Sequence, residues 1–248
     1  MRLSAVIITY NEARNIGRCL DSLAGVADEV VVLDSFSTDA TESICRGKGA
    51  RFEQHPFDTF FAQKNRAIDL ASHDLVLSLD ADEALSEPLR QSVLSVKGDS
   101  PYDAWEMSRL TNYCGQWIRH SGWYPDRKVR LFDRSKARWA PVHPHEYVAV
   151  APGSTVGRLE GDLLHYSYYT VEEHRTRSRK YAEMAAQTWY ERGKAVSWLK
   201  VMASPVFKFI RNYLLKRGFL DGRAGWTICR IAAWETYWKY RTLRRLRS

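Results

Sequence analysis

The sequence predicts an α/β fold built on a mainly parallel sheet with helices on both faces, and three observations carry that prediction. Apolar runs at Leu3–Thr9, Val30–Leu33 and Leu75–Leu79 are short and continuous, as strands buried on both faces are. Stretches with helical spacing separate them, the alternation expected of parallel strands joined by crossover helices. Polar residues gather just after each run, where sheets of this kind bind ligands.

The elements follow in order. The first strand leads into a helix marked by Ile16, Leu20 and Leu23. After Val30–Leu33, Asp39–Gly47 reads as a helix capped by Thr38 or Asp39. A short extended piece at Arg51–Glu53 precedes a helix from about Phe60 to Ala71. Leu75–Leu79 is the next strand, and Ser86-Glu87-Pro88 opens a further helix with proline in its first turn. From Tyr102 to Tyr168 the pattern changes to short, aromatic-rich pieces, expected to be extra strands and loops closing over the site. After Thr170 the pattern is helical to the end. The expected division is 1–100 and 101–190 as two parts of one domain, with 191–248 a basic helical region.

The 248 residues suffice for one substantial core, and a 45% apolar fraction is ordinary for a globular protein. Four scattered cysteines, without CxxC spacing, read as reduced buried thiols, not as a disulfide frame or zinc site. The first apolar run is too short for a signal peptide, and no run reaches the roughly 18 apolar residues of a membrane span. A cytoplasmic location is therefore expected. The net charge of +8 is uneven: residues 1–193 carry 24 Lys and Arg against 27 Asp and Glu, and residues 194–248 carry 13 against 2, a net +11. The C-terminal end alone therefore calls for a polyanionic partner.

Asp80 and Asp82 stand two apart, directly after an apolar strand. Paired hard oxygen donors there suit Mg²⁺ or Mn²⁺ beside a diphosphate; capping a turn is the plainer alternative. Thr9-Tyr10-Asn11-Glu12 follows the first strand and Asp34 the second, so one sheet end collects all of these groups. No GxGxxG follows the first strand and no GxxxxGK[ST] occurs, which excludes the usual dinucleotide and P-loop phosphate sites.

Ala5-Val6-Ile7-Ile8-Thr9-Tyr10-Asn11-Glu12, Val32-Leu33-Asp34-Ser35-Phe36-Ser37-Thr38-Asp39-Ala40-Thr41, Gln63-Lys64-Asn65 and Asp80-Ala81-Asp82-Glu83 resemble the successive motifs of the family 2 glycosyltransferases of GT-A (Rossmann-like) fold. Trp123-Tyr124-Pro125, Arg130-Leu131-Phe132, His145-Glu146 and His165-Tyr166 extend the resemblance, which is nearest to the lipopolysaccharide core β-glucosyltransferases. It implies that Thr9, Tyr10, Asn11 and Glu12 line a nucleotide pocket and that Asp34 bonds the uracil edge. It implies that Asp80 approaches the ribose and metal while Asp82 coordinates the metal directly. Lys64 is placed near the nucleotide or diphosphate, or else is a helix-surface lysine. Asp39 orders the nucleotide loop or caps a helix.

An inverting transfer needs a base for the acceptor hydroxyl. Glu146 is the first candidate and Asp126 the second; a surface salt bridge is the alternative for Glu146. The family pattern reads Val-His-Glu, whereas this chain has Val142-His143-Pro144-His145-Glu146, so either His143 or His145 matches the family histidine. His165 is a further metal or diphosphate ligand, or a satisfied core histidine. Arg127 and Arg130 suit a diphosphate or an anionic acceptor.

Toward the end, Lys200, Lys208 and Arg211 fall on one side of a helix, with Met202, Val206, Phe209, Ile210 and Tyr213 on the other; Pro205 is expected to bend or restart it. Arg223, Arg230, Arg241 and Arg245 share a later face, interleaved with Trp226, Trp234, Tyr237, Trp238 and Tyr240. That composition fits a helix lying on anionic lipid at the inner face of the cytoplasmic membrane, ahead of plain packing or nucleic acid. The combined expectation is a metal-dependent transferase moving a sugar, glucose from UDP-glucose first, to a lipid-anchored saccharide such as lipopolysaccharide core heptose. Alternatives are a same-fold enzyme acting on polyprenyl phosphate or capsular saccharide, and a non-catalytic nucleotide- or nucleic-acid-binding protein.

Overall fold

The computed structural model describes residues 1–98, 101–142 and 145–247, and the chain forms two compact units. The first comprises residues 1–109 and 126–166, the second 110–125 and 167–248. The units thus do not follow chain order.

In the first unit, β1 (Leu3–Thr9), β2 (Glu29–Asp34), β3 (Arg51–Gln54) and β4 (Leu75–Asp80) form a parallel half-sheet in the order β3-β2-β1-β4. Helices α1 (Ile16–Leu23), α2 (Thr41–Gly47), α3 (Phe60–Asp69) and α4 (Glu87–Gly98) alternate with the strands as expected. Period-2 alternation sends Leu3, Ala5, Ile7, Leu75, Leu77 and Leu79 into one core with α1 and α4. Val6, Val31, Leu33 and Val76 enter a second core with Ala67 and Ile68 of α3. Both faces are covered, so the strands contain few exposed residues and read as continuous apolar runs.

The second half of the sheet is where sequence patterns say least. Strands β5 (Glu83–Leu85), β6 (Ala104–Tyr113), β7 (Gln116–Ile118), β8 (Asp126–Asp133) and β11 (Val156–Tyr168) continue the order as β8-β6-β11-β5, with β7 beside β6. The pairs β4–β8, β8–β6 and β11–β5 are antiparallel. The expected short pieces are in fact strands of up to 13 residues. Their pattern was masked because inward positions hold charged residues such as Arg109 and Arg130. Separately, β9 (Ala137–Val142) and β10 (His145–Val150) make a two-stranded sheet whose Trp139 and Val148 join the α3 core. Gly161 in β11 has φ +90°, and a Cβ there would lie 2.3 Å from the Leu89 backbone nitrogen, so only glycine lets β11 and α4 approach this closely.

In the second unit α5 (Val171–Glu191), α6 (Trp198–Ile210) and α7 (Gly222–Arg245) pack together. Thr170 and Glu173 form a reciprocal capping box at the start of α5. Helix α6 continues across Pro205 without restarting and passes into a π-helical turn at Arg211–Leu215. The missing proline donor costs one bond, to the Val201 carbonyl, and neighbouring helices hold the rest. Asp221, 4% exposed, accepts bonds from the Arg119 and His120 amides and from the Ser121 hydroxyl, tying residues 110–125 to the start of α7. Among the described residues no helix is long and apolar enough to cross a membrane.

Candidate active site

The carboxyl ends of the parallel strands carry the predicted polar residues, and loop geometry shapes them. Asn11 and Phe36, in the loops after β1 and β2, both adopt positive φ (53° and 61°). The Asn11 side-chain oxygen accepts from the Thr38 amide at 2.8 Å, and the Asn11 amide donates to the Ser37 hydroxyl. Ser37 in turn donates through its amide to Asp34 at 2.7 Å, and Gln54 adds a bond at 3.3 Å. Asp34 is fully buried, and the structure places it as the anchor of this loop pair. Asp39 accepts from the amides of Ala13 and Thr41, both at 3.0 Å, joining the loop after β1 to the start of α2. Burial raises the Asp39 pKa, but the Thr41 hydroxyl and these amides outweigh it and hold the carboxyl below its ordinary value. Tyr10 is exposed, whereas the buried Thr9 hydroxyl has no hydrogen-bond partner among the described residues. Glu12 accepts from the Asn15 side chain at 2.7 Å.

Beyond these loops lies a chain of ion pairs. Asp126 pairs with Arg109 at 2.7 Å, Arg109 with Glu83 at 3.5 Å, and Glu83 with Arg130 at 2.7 Å. Arg130 continues to Asp80 at 2.9 Å, Asp80 to Lys64 at 2.8 Å, and Lys64 to Glu146 at 3.1 Å. Four carboxylates alternate with three cations. Strands β4, β5 and β6 each contribute one of these charges and β8 contributes two, Asp126 and Arg130, with α3 and β10 at the far end.

Trp139 lies against the two cations that flank Asp80, its ring centroid 4.1 Å from Lys64 Nζ and 5.1 Å from Arg130 Cζ. Its indole N–H donates to the Ser78 hydroxyl at 3.0 Å. Asn65 brackets the same strand by donating to the Trp139 carbonyl and accepting from its amide. That bracket holds β9, and through it Glu146 opposite Pro141, against α3. Burial would raise the Asp80 pKa, but Lys64 and Arg130 overcome it and keep the carboxylate ionised far below the ordinary range. Burial also opposes the Arg130 charge, and Glu83 and Asp80 restore it. The Cys19 thiol nearby is pushed well up by burial and by Glu83, Asp82 and Asp80, so it stays protonated.

Asp82 stands apart from this chain. Its carboxylate lies 3.3 Å from His165 Nε2, and both side chains keep partial exposure. Their meeting is a product of pairing between β5 and β11, which sets His165 opposite Glu83 and lets the Tyr166 amide donate to the Asp82 carbonyl. Among the described residues no three His, Cys, Asp or Glu side chains form a metal-holding group. A carboxylate and an imidazole do suit a divalent cation that takes its other ligands from substrate phosphate and water.

Several predicted residues converge here: Lys64, Asp80, Asp82, Asp126, Arg130, Glu146 and His165. Arg127 does not; it is half exposed and pairs with Glu106 at 3.8 Å, as Arg158 does at 3.3 Å. Arg130 has two buried nitrogens, Nε and Nη1, on neither of its partners Asp80 and Glu83 and without a hydrogen bond among the described residues. His143, Pro144 and the side chain of His145 lie outside the described residues. Sequence reasoning missed Glu83, Arg109 and Trp139. Glu83 directly follows the Asp-Ala-Asp motif, the one signal available; the other two are single residues in strands whose pairing is non-local.

A Rossmann-like sheet with an acidic strand end and a carboxylate–imidazole pair is compatible with the glycosyltransferase class. The chain belongs to that class: the family model described as Glycosyl transferase family 2 matches residues 4–148, more than half of its length, and the protein is a glycosyltransferase. It is similar to an uncharacterized glycosyltransferase of Rickettsia bellii, 28% identical over 99% of this chain and 87% of the relative. It is also similar to the lipopolysaccharide core biosynthesis glycosyltransferase LpsC of Rhizobium meliloti, 27% identical over 96% and 93%. Among solved structures, glucosyl-3-phosphoglycerate synthase of Mycobacterium tuberculosis, crystallised with Mn²⁺, UDP and glucosyl-3-phosphoglycerate, is 26% identical over 45% of this chain and 44% of its own, with a TM-score of 0.37.

Proposed function

We propose that the protein is an inverting, metal-dependent glycosyltransferase that moves glucose from UDP-glucose to a lipid-anchored saccharide such as lipopolysaccharide core heptose, working peripherally on the inner face of the cytoplasmic membrane. One observation carries the metal-dependent part. With Lys128 also on Asp126, the four carboxylates from Asp126 to Glu146 are matched by four cations, and Asp82, which meets the imidazole of His165, adds a carboxylate that no Lys or Arg ion pair among the described residues neutralises. A diphosphate brought to that strand end meets net negative charge, so a divalent cation must bridge the two. Asp82 and His165 would hold it, with Asp80 oriented behind them by Lys64 and Arg130. When bound, the metal would neutralise the charge that develops on the leaving diphosphate.

The residues of the chain supply the rest. Thr9, Tyr10, Asn11 and Glu12 border the nucleotide pocket, whose shape Asp34 and Asp39 maintain by holding the loops. The acceptor hydroxyl attacks the anomeric carbon, the bond from that carbon to the diphosphate oxygen breaks, and the hydroxyl proton passes to a carboxylate. Glu146 fits that part better than Asp126. Lys64 bonds only one Glu146 oxygen, whereas Arg109 places two N–H groups on one Asp126 oxygen and Lys128 reaches the other at 3.1 Å. A base needs an unclaimed lone pair, and among the described residues no hydrogen bond reaches Glu146 Oε2.

The second unit supports the membrane part. Residues 194–248 carry 13 Lys and Arg against 2 Asp and Glu, and Leu199, Met202, Phe207 and Leu215 are each more than half exposed. Basic residues flanking exposed apolar side chains suit an anionic lipid surface. The proposal is tested by thermal shift against nucleotide sugars with and without Mn²⁺. UDP-glucose should stabilise the protein only with the metal, and Asp82→Ala should abolish both that shift and transfer; full activity in Asp82→Ala overturns the metal assignment.

A further inference from the structure

The helical unit holds a feature that sugar transfer does not use. An open groove of about 1030 Å³ runs between α5 and α6 with α7 as its floor. Phe209 and Ile231 form apolar floor and wall, Val206 stands at one edge, and Arg175, Arg179 and Arg230 line it. The volume is at the upper end of small-molecule sites.

The charges on the groove select that occupant. Three arginines face one carboxylate, Glu172, which lies 3.5 Å from Arg175 with both side chains exposed. Arg179 is partly engaged by Glu183 and by the face of Trp238. Arg230 makes a cation–π contact with Trp226 at 5.9 Å and, among the described residues, no ion pair. Guanidinium forks prefer phosphate, and an apolar floor prefers hydrocarbon. A ligand satisfying both is amphiphilic: one chain along Phe209 and Ile231, a phosphate among Arg175, Arg179 and Arg230. Val206, a groove residue, is 60% exposed and continues the apolar ridge of Met202 and Ile210 on α6, so hydrocarbon can pass from a membrane surface into the groove without crossing a polar rim.

We infer that the α5–α6–α7 groove binds a single phosphorylated membrane lipid by its hydrocarbon chain and its phosphate together. The inference rests on the membrane part of the proposed function, and it identifies the headgroup chemistry that part leaves open.

Alkyl phosphates of increasing length test it on the full chain, below their micelle concentrations, by calorimetry. Affinity should rise about three- to fourfold with each added CH₂. Octyl phosphate should outcompete both inorganic phosphate and octanol at least tenfold. Thr176→Trp and Val206→Trp, at exposed groove positions, should each weaken octyl phosphate at least tenfold, and Arg175→Ala with Arg230→Ala should do the same. Affinity independent of chain length, or binding unaltered in all of these variants, overturns the lipid site. Flotation with anionic vesicles separates the two ideas. Vesicle binding with no saturable octyl phosphate binding sinks the groove and keeps the membrane reading; the reverse sinks the membrane reading alone.

Discussion

The two units handle charge in opposite ways. In the α/β unit the charges face inward and pair with one another, from Asp126 through Glu83 and Asp80 to Glu146, over a tryptophan and beside buried strands. In the helical unit they face outward: Arg223, Arg230, Arg241 and Arg245 are all exposed, with aromatic rings between them. Inward pairing spends electrostatic energy on fixing geometry, because each buried charge is tolerable only while its partners stay in place. Outward charge does little for stability and is available to a partner. The difference teaches that net charge is a poor guide to where this protein does its chemistry. The α/β unit, with 18 Lys and Arg against 23 Asp and Glu, holds the candidate site residues, and the strongly basic end holds none of them.

The largest expected effect is on chemistry. Glu146→Gln should lower the transfer rate by roughly 10²- to 10⁴-fold with donor binding retained, as measured by steady-state kinetics and UDP-glucose thermal shift. Loss of only a fewfold would return the base to Asp126. Arg130→Leu should follow, destabilising the α/β unit by about 3–5 kcal/mol because Glu83 is left buried beside a lost partner; urea unfolding measures it. A change under about 1 kcal/mol would mean that the ion-pair chain is ornament rather than scaffold.

Acid should separate the units. His174, packed among Tyr113, Trp123 and Tyr168, is held down to about pKa 4 by burial and then by Arg177. The unfolded histidine, near 6.5, takes its proton first, so the stability of the helical unit falls as pH drops from about 6.5 to 4, by on the order of 2–3 kcal/mol. In the other unit Asp80 is held below the ordinary carboxylate range, and its contribution persists until the pH falls under about 3.9. Hydrogen exchange at pH 4.5 should therefore show α5 and α7 losing protection before β1 and β4. His174→Phe should remove the slope between pH 6.5 and 4. Simultaneous loss in both units would deny the difference.

The smallest effect concerns the surface. Arg241→Ala with Arg245→Ala should leave the unfolding free energy within about 0.5 kcal/mol while weakening anionic-vesicle binding by about 1 kcal/mol per arginine at low salt. Leu199→Glu with Met202→Glu should lower vesicle binding and leave transfer to a soluble acceptor unchanged. Vesicle binding indifferent to both pairs would place the arginines in the role of plain solvated surface.

How much of this was legible in the sequence follows from the range of each interaction. Local pattern determined the parallel half of the sheet, its four helices, the loop residues Thr9–Glu12 and the Asp80–Asp82 motif, since each lies within one strand-turn-helix unit and speaks through spacing. The basic, aromatic C-terminal end was equally plain, because composition needs no partner. Only tertiary structure decided that Arg130 is buried between Asp80 and Glu83, that β5–β11 pairing sets His165 beside Asp82, that Asn65 holds β9 and so Glu146 against Lys64, and that α5, α6 and α7 leave a groove. Each of these joins residues tens of positions apart, up to the 83 between Asp82 and His165, through strand register or helix packing, and a charge carries no mark in the sequence of which distant charge will neutralise it.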